Sequence, residues 1–157
     1  KFLQLNTTAA ESTNTAWNNT TMDDTSITLG NLSGGANDNG KTYVMYVFAH
    51  NPDGFIQCGS YAGNGSTTGP VITLGWVPQY VIIKRATVAT GDWLILDTAR
   101  GIVNSSFDAR LKANTNAAEN DQIRLDLTAD GFKITSTDAE VNASGSDYIY
   151  MAIKAAV

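Results

Sequence analysis

A thiol nucleophile needs a base within hydrogen-bond reach, and the chain offers one Cys and one His, Cys58 and His50. The two lie on either side of a predicted hairpin loop, His50 heading the run His50-Asn51-Pro52-Asp53-Gly54, whose Pro pre-sets φ and whose Gly accepts positive φ, as a turn requires. Cys58 falls mid-strand beside Gly59 and reads as a small packing residue; His50 reads as a solvated turn residue. Glycosidic hydrolysis uses paired carboxylates. Asp92 with Asp97 and Asp121 with Asp126 are the pairs on offer, but an acidic chain supplies such pairs freely, and Asp97 with Arg100 is equally an ion pair. Asn37-Asp38-Asn39-Gly40 is similar to part of a calcium loop, yet it lacks the acidic first ligand and the bidentate Glu, so it reads as a turn. Trp17, Trp76 and Trp93 are candidates for stacking on sugar rings, against the alternative that they fill the core. No catalytic residue, metal site or cofactor site is assigned, and the chain is expected not to be an enzyme.

The scaffold for these residues reads as all-β. Of 157 residues, 43% are apolar and only 16% charged, and the polar remainder is dominated by Asn, Thr, Ser and Gly. Thr and the other β-branched residues suit a pleated strand better than a helix. Runs bounded by turn residues predict strands at 26–29, 42–49, 55–61, 71–74, 79–85, 92–97, 122–127, 132–136 and 147–154. Little or no helix is expected, because neither 7–15 nor 114–120 carries the apolar repeat of a docked helix. The centres of 42–49, 79–85 and 147–154 are apolar on both faces, whereas a one-sided antiparallel sheet alternates. Such strands want cover on both sides, from a second sheet or from another subunit. A β-sandwich of jelly-roll type, assembled as a homo-oligomer, is the expectation.

The net charge of −5 and the scattered Lys and Arg residues argue against nucleic acid as a partner. No apolar run approaches the about 20 residues of a membrane-spanning helix, so no membrane partner is expected. One Cys excludes an intrachain disulfide.

The chain also resembles itself. Leu3-Gln4-Leu5-Asn6-Thr7-Thr8-Ala9-Ala10-Glu11 matches Leu111-Lys112-Ala113-Asn114-Thr115-Asn116-Ala117-Ala118-Glu119, and Trp17 then falls on Leu125. After a three-residue deletion, Asn37-x-x-Gly40-x-x-Tyr43 matches Asn142-x-x-Gly145-x-x-Tyr148, with Val44, Tyr46 and Phe48 on Ile149, Met151 and Ile153. Asn6, Thr7, Gly40 and Tyr43, with Asn114, Thr115, Gly145 and Tyr148, are therefore read as structural repeat positions that close turns. The implied layout is residues 1–49 as the C-terminal half of a first repeat, 50–75 as a hairpin and Gly-rich connector, and 76–157 as a complete second repeat. All three parts are expected in one compact domain. The front half of the second repeat has no counterpart before Lys1, which leads to the expectation that the folded unit starts upstream of Lys1.

Gly59-Ser60-Tyr61-x-Gly63-Asn64-Gly65-Ser66, Val81-Ile82-Ile83-Lys84-Arg85, Gly91-Asp92-Trp93, Gly131-Phe132-Lys133 and Val141-Asn142-Ala143-Ser144-Gly145 follow one another along the chain. In this order they resemble a domain family of unknown function found in tail-fibre and other virion proteins of tailed phages. The resemblance implies a tail-fibre or receptor-binding module for host-surface adsorption, located in the virion and extracellular. The implied partners are itself, as a trimer in a fibre, other virion proteins, and host-surface polysaccharide or protein. The alternatives are a decoration or joining subunit without receptor binding and, more distantly, a glycan-degrading tailspike. The resemblance carries no catalytic residues with it.

Overall fold

The computed structural model describes residues 1–18, 23, 25–50, 53–102 and 104–155. Asn51 and Pro52 of the expected turn lie outside the described residues. The chain folds as two compact units. One comprises Lys1–Leu3 and Glu11–Val47, the other Gln4–Ala10 and Phe48–Val157.

Among the described residues the larger unit holds two antiparallel sheets. Its strands are β1 (Ile56–Ala62), β2 (Val71–Thr73), β3 (Pro78–Arg85), β4 (Leu94–Asp97), β5 (Asp108–Lys112), β6 (Asn120–Gln122), β7 (Leu125–Thr128), β8 (Gly131–Ile134) and β9 (Asp147–Lys154). A short helix, α1 (Ala139–Asn142), precedes β9. The six-stranded sheet runs β1-β9-β3-β4-β5-β6 and the three-stranded sheet β2-β8-β7. The architecture is nearly all β, in agreement with an all-β sandwich.

Alternation along the strands makes the core. Val81 and Ile83 of β3, Leu94 and Leu96 of β4, and Tyr148 and Ala152 of β9 are fully buried; Leu125, Phe132 and Ile134 of the smaller sheet join them in one apolar cluster. Phe132 meets the Tyr150 ring edge-on at 5.5 Å, tying β8 to β9. Gly131 has to be Gly, since a Cβ there would stand 1.9 Å from the carbonyl oxygen of Ile72 on paired β2. Trp76 is a core residue, 7% exposed.

The alternate residues of the large sheet face outward. Cys58, Met151, Ile82 and Ile95 lie side by side across β1, β9, β3 and β4. Part of that face is covered by residues 4–10: the indole of Trp93 donates to Gln4 O at 3.0 Å, and the Lys84 ammonium donates to Thr8 O at 3.3 Å.

The smaller unit has little regular structure among its described residues. Phe2 and Ser12 form an antiparallel bridge, and Thr15–Trp17 makes one 3-10 turn capped by the Asn14 side chain. Two expected strands are corrected here: 26–29 and 42–49 belong to no ladder. The expected strand 122–127 divides into β6 and β7, and β5 and α1 were not anticipated. Ladder bonds need a partner edge, so β-propensity alone does not make a strand.

Candidate functional site

The candidate catalytic residues are dispersed or neutralised. His50 is exposed, while Cys58 is half-buried in β1, and burial raises its thiol above the ordinary range. Cys58 is thus less enclosed than a packing residue and less acidic than a nucleophile. Asp97 pairs with Arg100 and accepts the Arg100 N–H at 2.8 Å, closing the turn after β4. Asp126 accepts the Ser105 N–H at 2.6 Å, and Asp121 is exposed on β6. Asp38 accepts the Gly34 N–H at 2.9 Å, so the Asn37–Gly40 segment is a hydrogen-bonded turn. Among the described residues no group of three or more His, Cys, Asp or Glu side chains could hold a metal ion. Likewise, no helix is long and apolar enough to cross a membrane.

The titratable groups converge elsewhere, at the end of the core under β5. Arg110 and Lys112 point to the same side as Leu96 and Leu94, their register partners. There they meet Glu140 of α1: Arg110 pairs with it, Arg124 donates to it at 2.9 Å, and Lys112 stands 3.5 Å away. Arg124, only 2% exposed, also donates to Asp138 at 3.1 Å. Lys112 bonds Asp92 at 2.6 Å, and Asn114 donates to the same carboxylate at 2.8 Å. Burial opposes a charge on Asp92, but the bonds from Lys112 and Asn114 outweigh it and hold the carboxyl below its usual value. The same Asp92 bond raises Lys112, against a smaller opposing effect of burial. Buried Asp108 accepts the Arg124 and Leu125 N–H groups at 2.9 and 3.1 Å. These charges answer one another, which makes the cluster an ionic clamp between β5, β7 and α1.

Among the described residues two apolar surfaces stand out. The first is a shallow depression of about 290 Å³ on the outer face of the large sheet, lined by Cys58, Ile82, Trp93, Ile149, Tyr150 and Met151. The second is the run Tyr43, Val44, Met45, Tyr46, Val47 and Phe48, each between 47% and 82% exposed. The three Trp residues do not form one platform. Trp76 is in the core, Trp93 lines the depression, and Trp17 is half-buried in the 3-10 turn of the other unit.

The paired positions of the sequence repeat make matching local bonds. Thr7 and Thr115 each donate their N–H three residues back at 3.3 Å, to Gln4 and Lys112, and each hydroxyl accepts the N–H two residues on. Phe2 bridges Ser12 as Arg110 pairs with Asn120. Gly40 and Gly145 take φ of 71° and 74°. Asn114 accepts the Trp93 N–H at 2.8 Å, whereas Asn6 is exposed.

The family assignment agrees with the extent of these motifs. The chain belongs to the family described as a domain of unknown function (DUF7483), whose model matches residues 1–156. Comparison with curated proteins and with solved structures gave no significant match.

Proposed function

We propose that the chain is a structural module of a tailed-phage virion, part of a tail fibre or receptor-binding assembly that serves host-surface adsorption. One observation carries the reading: the residues behind the resemblance build the framework. Val81, Ile83 and Phe132 are core residues. Asn142 is fully buried, and its amide donates to Asn64 Oδ1, Ser66 O and Ser136 O, fastening the Gly-rich 63–69 loop. Motifs devoted to a scaffold fit an adhesion or assembly module better than an enzyme. In this reading the module is extracellular and needs no cofactor. It assembles with itself, as a trimer in a fibre, and with other virion proteins, and its open surface meets host polysaccharide or protein.

A second reading, a decoration or joining subunit without receptor contact, is favoured by the exposed apolar run 43–48, which suits protein neighbours better than sugars. A glycan-degrading tailspike stands third, because Asp92 and Asp97 are each engaged by a cation. Immunogold labelling of virions from a phage encoding the chain tests the proposal. Label on the fibre or tail tip is expected; a chain missing from purified virions by mass spectrometry would overturn it. Label on the capsid or a tail joint would favour the second reading.

A further inference from the structure

Strand β3 and the turn after β4 frame a mixed polar cleft, at the opposite end of β4 from Trp93. Its volume is about 400 Å³, and Gln79, Tyr80, Asp97, Thr98, Ala99 and Arg100 line it, all in the larger unit. Small-ligand pockets occupy ~300–1,000 Å³. Tyr80 stands between Asp97 of β4 and Ile153 of β9, its register partners. Register partners share one face of a sheet, so a phenol ring, a carboxylate and an apolar side chain are brought together. The turn itself is fixed at several points. The Thr98 N–H donates to Gln79 O at 2.9 Å, and the Gly101 N–H donates to Asp97 O at 3.1 Å. The Asp97 carboxylate accepts the Arg100 N–H at 2.8 Å and pairs with the Arg100 guanidinium. Even so, the buried Arg100 Nε has no hydrogen-bond partner among the described residues, and the Glu119 carboxylate stops 3.6 Å from it. Buried donors are ordinarily paired, so this one leaves the guanidinium with bonding capacity to spare. Burial raises the Tyr80 phenol above its usual value, with Arg100 opposing and Asp97 adding, so its hydroxyl is a neutral donor and acceptor.

We propose that this cleft binds one neutral pyranose residue of a polysaccharide. A pyranose presents an apolar face of C–H groups and a rim of hydroxyls that both donate and accept. The Tyr80 ring, with Ile153 beside it, matches the apolar face. At the rim Asp97 accepts, Arg100 donates, and the Gln79 amide and Thr98 hydroxyl do both. Local charge decides between neutral and acidic sugars. Asp97 and Glu119 set two anions around one cation, so a uronate, sulfate or phosphate meets repulsion and a hydroxyl does not. The braced turn has little freedom left to lose, which keeps the ordering cost of binding low. The inference rests on the adsorption reading only in taking polysaccharide as the natural source of the sugar.

Amide NMR of the full chain, titrated with the methyl glycosides of glucose, galactose, mannose and N-acetylglucosamine, tests it. At least one should give saturable shifts centred on Tyr80, Thr98, Ala99 and Arg100. Glucuronate should bind at least about tenfold more weakly than the best of the four. Tyr80→Leu removes the ring but keeps apolar bulk, and Arg100→Gln removes the charge but keeps an amide. Each should weaken binding about tenfold, with dispersed β3 and β9 amides reporting an intact fold. Three results overturn the proposal: no saturable shift with any of the four, glucuronate bound as tightly as the best of them, or shifts that lie elsewhere or survive both substitutions. Should a variant fail to fold, the position of the wild-type shifts and the comparison with glucuronate decide the matter. Sugar binding by a chain missing from virions would keep the subsite and remove the adsorption role. A labelled tail tip with a silent titration would do the reverse, leaving a protein receptor.

Discussion

Tyr43 and Tyr148 close the same turn in two parts of the chain. The Tyr148 hydroxyl accepts the Ala143 N–H at 2.7 Å, and the Tyr43 hydroxyl accepts the Asp38 N–H at 3.0 Å, each reaching five residues back across a Gly of positive φ. The surroundings differ. Tyr148 is fully buried, stacks on Tyr61 at 5.0 Å, and also donates to Ala139 O at 2.8 Å; Tyr43 is 47% exposed.

Tyr148→Phe should therefore cost about 1–3 kcal/mol, because it leaves the Ala143 N–H and Ala139 C=O without their buried partner. Tyr43→Phe should cost about 0.5 kcal/mol or less, since water replaces an exposed hydroxyl. Urea denaturation of both variants checks the contrast, and equal losses would contradict it.

Glu140 is the shared anion of Arg110, Arg124 and Lys112. Glu140→Gln should destabilise the larger unit by about 3–5 kcal/mol, the usual effect of stranding buried charges. Asp121→Asn, at an exposed site, should change stability by about 0.5 kcal/mol or less. A denaturant midpoint for Glu140→Gln equal to that of wild type would refute the clamp.

The Asp92–Lys112 pair sets opposite edges of a pH window. Asp92 is depressed in the folded chain, so its contribution is present above the unfolded carboxylate pKa of about 3.9 and is lost as pH falls through the lower folded value. Lys112 is raised, so its contribution is full below about pH 10.4 and is lost as pH rises through the higher folded value. Thermal melts across pH should show Asp92→Asn with a flatter acid limb than wild type. An unchanged acid limb would count against the pair.

Alkali acts through the tyrosines as well. Burial raises Tyr61 well above its usual value, with the neighbouring Tyr148 adding to the shift. The unfolded chain then ionises first, and stability should fall as pH climbs past about 10. Tyr61→Phe should weaken that fall, at the cost of the 2.8 Å bond from its hydroxyl to Val141 O. An alkaline limb as steep as that of wild type would show that another group controls it.

How legible the molecule was depended on where each residue's partners lie. Strands β3 and β9 were readable because their apolar runs are long and start just after a turn residue, Pro78 and Gly145. Strand β5 was not, since Asp108-Ala109-Arg110-Leu111-Lys112 looks like a solvated surface; its cations point inward, toward carboxylates 20 to 30 residues away, Asp92 and Glu140. A hint lay in Arg124 beside the buried Leu125, an isolated cation next to a core position. Residues 42–49 erred the other way: local pattern favoured a strand, but pairing needs an edge that local pattern cannot supply. The Trp residues were ambiguous for a related reason, because composition does not say which face of a sheet is covered.

Competition for host attachment tests the proposed adsorption role most directly. On the proposed reading, the purified chain, added to host cells ahead of a phage encoding it, should slow virion attachment in proportion to its concentration while leaving the host polysaccharide at full length. Attachment at the unmodified rate under saturating chain would contradict the role, as would polysaccharide shortened by the wild-type chain and left intact by Asp97→Asn.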